Sequence, residues 1–181
     1  MQEGRLFLSI TKNYFISSGN LSFNCYYTGV FIMISRDLEK IRERTQSAYE
    51  YVSSLEPFKY VYDNYQLNQE IVNELKKFVN DYTVVLFAAS WCRDSRAGVP
   101  VFALLETEIG LEVRAFGGMQ PAPRLPPEAE EWGVTAVPTI FVFTKSGPKR
   151  GQEIGKIIER PRWGMTMEEE LLEIIKNAQA G

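Results

Sequence analysis

The pattern of apolar and polar positions along this chain becomes regular only after residue 33. Residues 1–32 mix aromatic, serine and asparagine residues without a period of 2 or 3.6, so they predict no definite element. From Ser35, a suitable helix cap, apolar residues recur at helical spacing and predict a first helix: Leu38, Ile41, Ala48, Val52 and Leu55. After a turn-rich, aromatic stretch at 56–66, Asn68 caps a predicted second helix.

Beyond residue 80 the pattern becomes that of strands alternating with helices. Residues 82–89 form a continuous apolar run, which predicts a strand covered on both faces. A helix with a kink at Pro100 is predicted at 94–108, then a strand at 111–116, an irregular segment at 117–127 and a short helix at 127–132. Strands at 137–143 and 151–159 should pair as a hairpin. Thr166 and Glu169 have capping-box spacing and predict the start of the last helix.

The order of these elements predicts the fold class. From residue 68 it is α-β-α-β-α-β-β-α, which indicates an α/β fold with a central mixed sheet of four or five strands, flanked by helices, and an extra N-terminal helix. We divide the chain into an extension at 1–32, a helix and connector at 33–66, and one domain at 67–181. Two origins of the extension stay open: Met33 is the natural start of the protein, or residues 1–32 pack on the domain.

Composition and charge exclude several classes of function. The chain has 181 residues, 45% of them hydrophobic and 24% charged, which suits one soluble domain. A formal net charge of -3 gives no attraction to nucleic acid or to an anionic membrane, so neither is an expected partner. The chain has no histidine, the commonest metal ligand and general base. We therefore expect no zinc hydrolase, no Ser-His-Asp triad, no metal and no cofactor.

The two cysteines bear on the compartment. Cys25 and Cys92 are 67 positions apart (92 − 25) and do not make the disulfide framework of a small secreted domain. The longest apolar run near the N-terminus, residues 30–34, is too short for a signal-peptide core or a membrane span. We therefore expect a cytoplasmic protein in a reducing compartment. The sequence predicts no oligomeric state.

Three sequence features in the second half of the chain resemble those of thioredoxins. Trp91-Cys92 stands at a predicted strand-to-helix junction, Pro100 follows eight positions after Cys92, and Pro138 lies in the loop GVTAVPT at 133–139. These resemble the active-site motif, the helix proline and the cis-proline loop of thioredoxins, over about residues 68–178. The string WCRDSRAGVPVFALLE is most similar to a thioredoxin-like subgroup with a W-C-x-D motif. The resemblance implies a thioredoxin-like fold.

The chain also departs from thioredoxin at three positions. Ser95 stands where the second active-site cysteine is expected, and Asp94 stands where the proline between the cysteines is expected. The position of the family's buried carboxylate, which transfers a proton to the second cysteine, corresponds to Leu86. The dithiol and its acid are therefore both lost. These changes argue against turnover driven by thioredoxin reductase.

Cys92 is the candidate nucleophile. A helix N-terminus and the cations Arg93 and Arg96 favour the reactive thiolate, whereas Asp94 opposes it. Ser95 is three residues further along the helix and is predicted to donate a hydrogen bond to the sulfur. Without a second cysteine, attack on a disulfide stops at a mixed disulfide until another thiol releases it.

These properties predict a monothiol (C-x-x-S) thiol–disulfide oxidoreductase. The expected partners are protein disulfides, glutathione mixed disulfides and a low-molecular-weight thiol. The resemblance implies that the backbone at Val137 and Pro138 holds the substrate chain, with Trp91 and Arg93 beside it. Cys25 is a weaker candidate for a resolving thiol, and a buried apolar role for it is preferred.

Two other functions stay open. The fold could serve as a non-catalytic binding module that keeps the substrate groove without turnover. A thiol peroxidase would oxidise Cys92 to a sulfenic acid, but the Pro-x-x-x-Thr-x-x-Cys environment of peroxiredoxins is not matched. Arg114 and Arg124 are possible guides for an anionic thiol, although solvated surface arginines are the preferred interpretation.

Overall fold

A computed structural model describes residues 36–120 and 127–180 of the chain. Its helices are α1 (Leu38–Arg44), α2 (Ala48–Ser53), α3 (Glu56–Asn64), α4 (Gln69–Leu75), α5 (Arg93–Ile109), α6 (Pro127–Glu131) and α7 (Met167–Ala180). Its strands are β1 (Gln46–Ser47), β2 (Tyr82–Phe87), β3 (Glu112–Phe116), β4 (Thr139–Thr144) and β5 (Glu153–Ile158). The predicted extension at 1–32, the start at Met33, the cap Ser35, Cys25 and Arg124 lie outside the described residues.

The five strands form one mixed sheet in the order β1-β3-β2-β4-β5. Strand β2 runs parallel to β3 and antiparallel to β4, while β4 and β5 form the predicted antiparallel hairpin. All six residues of β2 are buried, as expected of a central strand with helices on both faces. The α/β class, the mixed sheet and the order of elements from residue 68 are therefore confirmed, with five strands rather than four.

The N-terminal region differs from the prediction of one helix followed by a turn-rich connector. Asp37 caps α1, which ends at Arg44, because Thr45 adopts an extended backbone conformation. Strand β1 then pairs with β3, and a capping box between Ser47 and Glu50 starts α2. The stretch predicted as turn-rich holds α3, whose start carries Pro57 at a position that suits proline. Apolar spacing alone did not reveal the break, because residues on both sides of it are buried.

Each face of the sheet carries its own apolar core. On one face, α2, α4, α5 and α7 contribute to a cluster with β2 residues such as Val84 and Leu86. On the other face, α1 and α6 cover a cluster rich in aromatic rings: Phe87, Phe116, Trp132, Phe141 and Phe143. Cys92 packs against this second cluster. The sulfur therefore lies where the central strand leaves the core and α5 begins.

An ion cluster holds α1 on the sheet. Glu112, at the start of β3, accepts hydrogen bonds from Arg42 Nε at 2.6 Å and Arg42 Nη2 at 2.9 Å, and Lys145 Nζ lies 3.3 Å away. The hydrogen bonds from Arg42 hold the pKa of Glu112 below its ordinary value. The pairing favours the charged carboxylate, so its contribution to stability is present at neutral pH and is lost when acid protonates Glu112.

Candidate active site

The turn between β2 and α5 places Cys92 at a helix N-terminus. Cys92 is the N-cap residue of α5 in an extended conformation, and its side chain makes no capping bond. Its amide donates to Ala89 O at 3.1 Å, and its carbonyl accepts from Arg96 N at 3.1 Å, so the turn and the first helical bond fix its backbone. The side chain is half-buried. A sulfur in this position faces unpaired amide groups and the positive end of the helix dipole.

The sulfur meets the loop that precedes β4. Cys92 Sγ donates a hydrogen bond to Val137 O at 3.0 Å, across 45 positions of sequence. The peptide bond between Val137 and Pro138 is cis, and Pro138 itself is buried. Pro138 O accepts from Glu159 N at 2.7 Å, so the loop is also attached to the chain that follows β5. The structure therefore brings together Cys92, Val137 and Pro138, three of the residues predicted for the site.

Ser95 has a backbone partner that the sequence did not predict. Its side chain is fully buried, and its Oγ accepts a hydrogen bond from Ala89 N at 3.3 Å. The sulfur of Cys92 donates to Val137 O instead of sharing a bond with Ser95. Ser95 thus ties the first turn of α5 to the end of β2. Its hydroxyl proton is not used in the bond with Ala89, and its action on a thiolate stays a prediction.

Trp91 and Arg93 flank the sulfur on the exposed surface. Trp91 is 49% exposed, and its Nε1 donates to Met119 O at 2.7 Å, which fixes the ring against the chain after β3. Arg93 is exposed and has no ion pair within the part of the chain that the structure describes. Arg96 Nη2 donates to Trp91 O at 3.0 Å. Arg93 and Arg96 therefore stand beside the turn that holds Cys92, and neither has an ion pair with a carboxylate among the described residues.

Sequence comparison decides the family. A family model described as thioredoxin matches residues 44–172, which is most of the chain and includes the whole site. The chain belongs to the thioredoxin family. The match begins just before β1, so the thioredoxin model includes β1 and α2, which the sequence pattern had assigned to the first helix, and α3, which it had assigned to the connector. A search of curated proteins finds none that matches this member of the family.

Solved structures include several that are similar to this thioredoxin-family chain. A protein of unknown function from Pseudomonas aeruginosa is 13% identical, with a TM-score of 0.50, over 80% of this chain and 94% of its own, which shows the fold alone. Mitochondrial thioredoxin 3 from Saccharomyces cerevisiae is 28% identical over 59% of this chain and 89% of its own, with a TM-score of 0.36. A chain from a structure on thiol resolution in yeast mitochondrial 1-Cys peroxiredoxin is 30% identical, with a TM-score of 0.36, over 61% and 90%. The last two scores are too low to support the fold.

Two charged residues near the thioredoxin motif form an ion pair that the sequence did not predict. Asp94, in the first turn of α5, accepts from Arg160 Nε at 3.0 Å. Arg160 follows β5 and is 66 positions away, in a segment with no motif of its own. The sequence indicated that the Asp94 carboxylate opposes a thiolate at Cys92. Because Arg160 supplies a compensating positive charge, that opposition is weakened.

Other candidates for the thioredoxin site have structural roles. Arg114 donates to Thr45 Oγ1 at 3.0 Å and to Arg42 O at 3.0 Å, so it holds the end of α1 and is not a free guide for an anionic thiol. Leu86 is fully buried in β2, where the resemblance had placed the lost carboxylate. Among residues 36–120 and 127–180, no group of three or more potential metal ligands occurs. No helix in these ranges is long and apolar enough to span a membrane.

Proposed function

We propose that this chain is a thiol–disulfide oxidoreductase that acts through the single thiol of Cys92 on protein or glutathione mixed disulfides. The observation that carries the proposal is the position of the sulfur, which is half-buried at the N-terminus of α5 and 3.0 Å from the carbonyl of Val137. Thiols at helix N-termini near cations are those that proteins use as nucleophiles. Arg93 and Arg96 are such cations, and neither forms an ion pair in the described part of the chain.

The reaction has two exchange steps. In the first, the thiolate of Cys92 attacks one sulfur of a substrate disulfide, the S–S bond breaks, and the second sulfur leaves as a thiolate that takes up a proton. The product is a mixed disulfide on Cys92. In the second step, a low-molecular-weight thiol such as glutathione attacks this mixed disulfide and releases Cys92 as a thiolate. One disulfide is consumed and one is formed in each cycle, so no other oxidant is required.

The neighbouring groups have separate roles in this proposal. In the resting protein the thiol donates to Val137 O, and an incoming substrate chain would take over this carbonyl when the sulfur ionises. Ser95 would donate its free hydroxyl proton to the thiolate from one helical turn away. Trp91 and Arg93 would contact the substrate on the exposed side. Glutathione in the cytoplasm, where we place the protein, would complete the cycle.

The alternative is a binding module of the same fold without turnover. It is favoured by Ser95, which occupies the position of the second cysteine and uses its oxygen to bond Ala89 N. Such a module would hold its partner through the surface around Trp91 and Val137, with no need for the sulfur. The two functions predict different results for Cys92→Ser: the oxidoreductase would lose its reaction with disulfides, whereas the binding module would keep its binding of partners.

Reaction with glutathione disulfide tests the proposal. The reduced protein should gain one glutathione on Cys92, seen by intact mass and peptide mapping, and lose it when a second thiol is added. Cys92→Ser should not react above the uncatalysed background, a loss of about a thousandfold or more. Cys25→Ser is the matched control and should react as the unmodified protein does. If Cys92 gains no glutathione and Cys92→Ser captures partners as well as the unmodified protein, the chain is a binding module.

A further inference from the structure

A groove next to the candidate active site has no role in the exchange reaction described above. It has a volume of about 550 Å³ and lies between the first half of α5 and the β5–α7 segment, residues 159–166. On the α5 side it is lined by residues that include Arg93, Ala97 and Val101. On the other side it is lined by the whole β5–α7 segment and by Met167. Apolar residues such as Val101 and Trp163 therefore line the groove together with charged residues such as Arg93 and Glu159.

The groove starts at the site on both sides. Its α5 wall begins with Arg93, the residue after Cys92. Its other wall begins with Glu159, whose amide donates to Pro138 O at 2.7 Å, next to the carbonyl that accepts from the sulfur. The groove therefore begins one residue after Cys92 on one side and at the residue that bonds Pro138 on the other.

The β5–α7 segment is firmly attached and still exposes its largest side chain. Arg160 bonds Asp94 of α5, and Arg162 bonds Glu170 and Glu173 of α7. Arg162 N also donates to Glu170 at 2.7 Å. Trp163, which follows these two arginines, is nevertheless 102% exposed. The fold thus holds an indole in water on a tethered segment, and tryptophan is among the residues most enriched at the centres of protein interfaces.

Three exposed apolar side chains are close in sequence to Cys92 or to the β5–α7 segment. In the described part of the chain, five large apolar side chains are exposed: Tyr49, Tyr60, Trp91, Ile158 and Trp163. Trp91 precedes Cys92, Ile158 precedes the β5–α7 segment, and Trp163 lies within it. Of these five side chains, Trp163 lines the groove, and an exposed tryptophan at a groove is typical of an interaction surface.

Charge indicates the chemistry of the partner. Of the three arginines that line the groove, Arg160 and Arg162 have carboxylate partners within the fold. Arg93 has none among the described residues and is exposed. A carboxylate on the bound chain would pair with Arg93, while an apolar side chain would fill the space between Val101 and Trp163.

We propose that the groove binds an extended segment of a client protein that carries one large apolar and one acidic residue near the cysteine that reacts with Cys92. The inference rests on the proposed function and assigns its substrate class, a polypeptide rather than glutathione alone. Val101 comes nine residues after Cys92, about 14 Å along a helix, and an extended chain covers that distance in about four residues. The apolar residue is thus expected three or four positions from the client cysteine.

Synthetic peptides test this assignment. Each peptide carries one cysteine linked to glutathione by a disulfide, with leucine three or four positions away followed by glutamate, and glutathione release is measured after the reduced protein is added. We expect release at least about tenfold faster than from peptides with alanine and lysine at these positions. Glutathione disulfide is the small-disulfide reference, and the leucine is moved from one to six positions on either side of the cysteine.

Two variants connect the preference to the groove. Trp163→Ala should lower the ratio of peptide rate to glutathione disulfide rate by about tenfold. Tyr60→Ala removes an exposed aromatic side chain that does not line the groove, and it should leave this ratio unchanged. Arg93→Glu should reverse the charge preference, so that the lysine peptide reacts faster than the glutamate peptide. Lys149→Glu, a charge reversal in the turn after β4, is the control for general electrostatics.

The outcomes separate this inference from the proposed function. If the protein reacts with glutathione disulfide but treats all peptides equally, the groove assignment is wrong and the proposed function stands. If no disulfide reacts, the proposed function fails, and calorimetric binding of the peptide with serine in place of cysteine decides the groove on its own. Absence of that binding overturns the inference. If Trp163→Ala converts a dimer into a monomer, the surface serves self-association, which also overturns it.

Discussion

Replacing Ser95 by cysteine is expected to release the glutathione bound to Cys92 without an external thiol, with an internal disulfide as the product. In the proposed mechanism, the mixed disulfide on Cys92 persists until a separate thiol attacks it. Positions 92 and 95 are three residues apart at the start of α5, a spacing that brings two side chains together on a helix. A thiol at position 95 would attack the mixed disulfide intramolecularly, with an effective concentration far above that of micromolar thiol.

The expected result for Ser95→Cys is a release of bound glutathione at least about a hundredfold faster at micromolar thiol, with formation of an internal disulfide between Cys92 and the thiol introduced at position 95. Intact mass and quenched-flow analysis measure both. Ser95→Ala is the control: it should keep the dependence on external thiol, and it should react more slowly if the hydroxyl stabilises the thiolate. A Ser95→Cys protein that forms no internal disulfide would show that position 95 does not face the sulfur.

Replacing Gly117 by alanine is expected to lower the free energy of unfolding by about 2–3 kcal/mol. A Cβ atom at position 117 would overlap the ring of Tyr51. This ring is almost fully buried, lies 5.2 Å from the ring of Phe58, and donates through its hydroxyl to Ala88 O at 3.2 Å. The ring is therefore held on several sides, and the added methyl group has no flexible neighbour to displace.

Gly98→Ala is the matched control for this prediction. A Cβ atom at position 98 would overlap the end of the Met167 side chain, which is flexible and moves at little cost. Alanine also favours the α5 helix by about 1 kcal/mol relative to glycine, so Gly98→Ala should change stability by less than about 1 kcal/mol. Urea unfolding of both variants measures the difference. Equal losses of stability would mean that the Tyr51 ring yields as easily as the methionine.

Local sequence signals sufficed for the elements after residue 68. Asn68 caps α4 through its side chain, and Thr166 and Glu169 exchange the hydrogen bonds of a capping box at the start of α7. These contacts lie within a few residues of each other, so the sequence displays them directly. Strand β1 has only two residues, and its pairing with β3 joins positions almost 70 residues apart. Such a strand has too few positions to show a period.

The candidate site also contains residues that the sequence predicted and residues that it did not. The motif around Cys92 and the loop around Pro138 each have a recognisable local sequence, and the resemblance to thioredoxin relates them to one another. Arg160 and Trp163 lie in no recognisable motif. Their positions beside α5 depend on how the β5–α7 segment packs against that helix, which local sequence does not reveal. The bond from Ala89 N to Ser95 Oγ was not predicted either, because it depends on the backbone turn that leads into α5 and not on residue spacing.

The rate at which Cys92 is alkylated in the native protein tests the central claim most directly. The measurement uses iodoacetamide at pH 7 and a Cys25→Ser background, with peptide mapping to assign the product and free glutathione as the reference thiol. With the helix N-terminus, Arg93 and Arg96 beside it, and with Asp94 paired to Arg160, Cys92 is predicted to react several times faster than the reference. A sulfur that reacts no faster than free glutathione, or only after the protein is unfolded, would contradict the account.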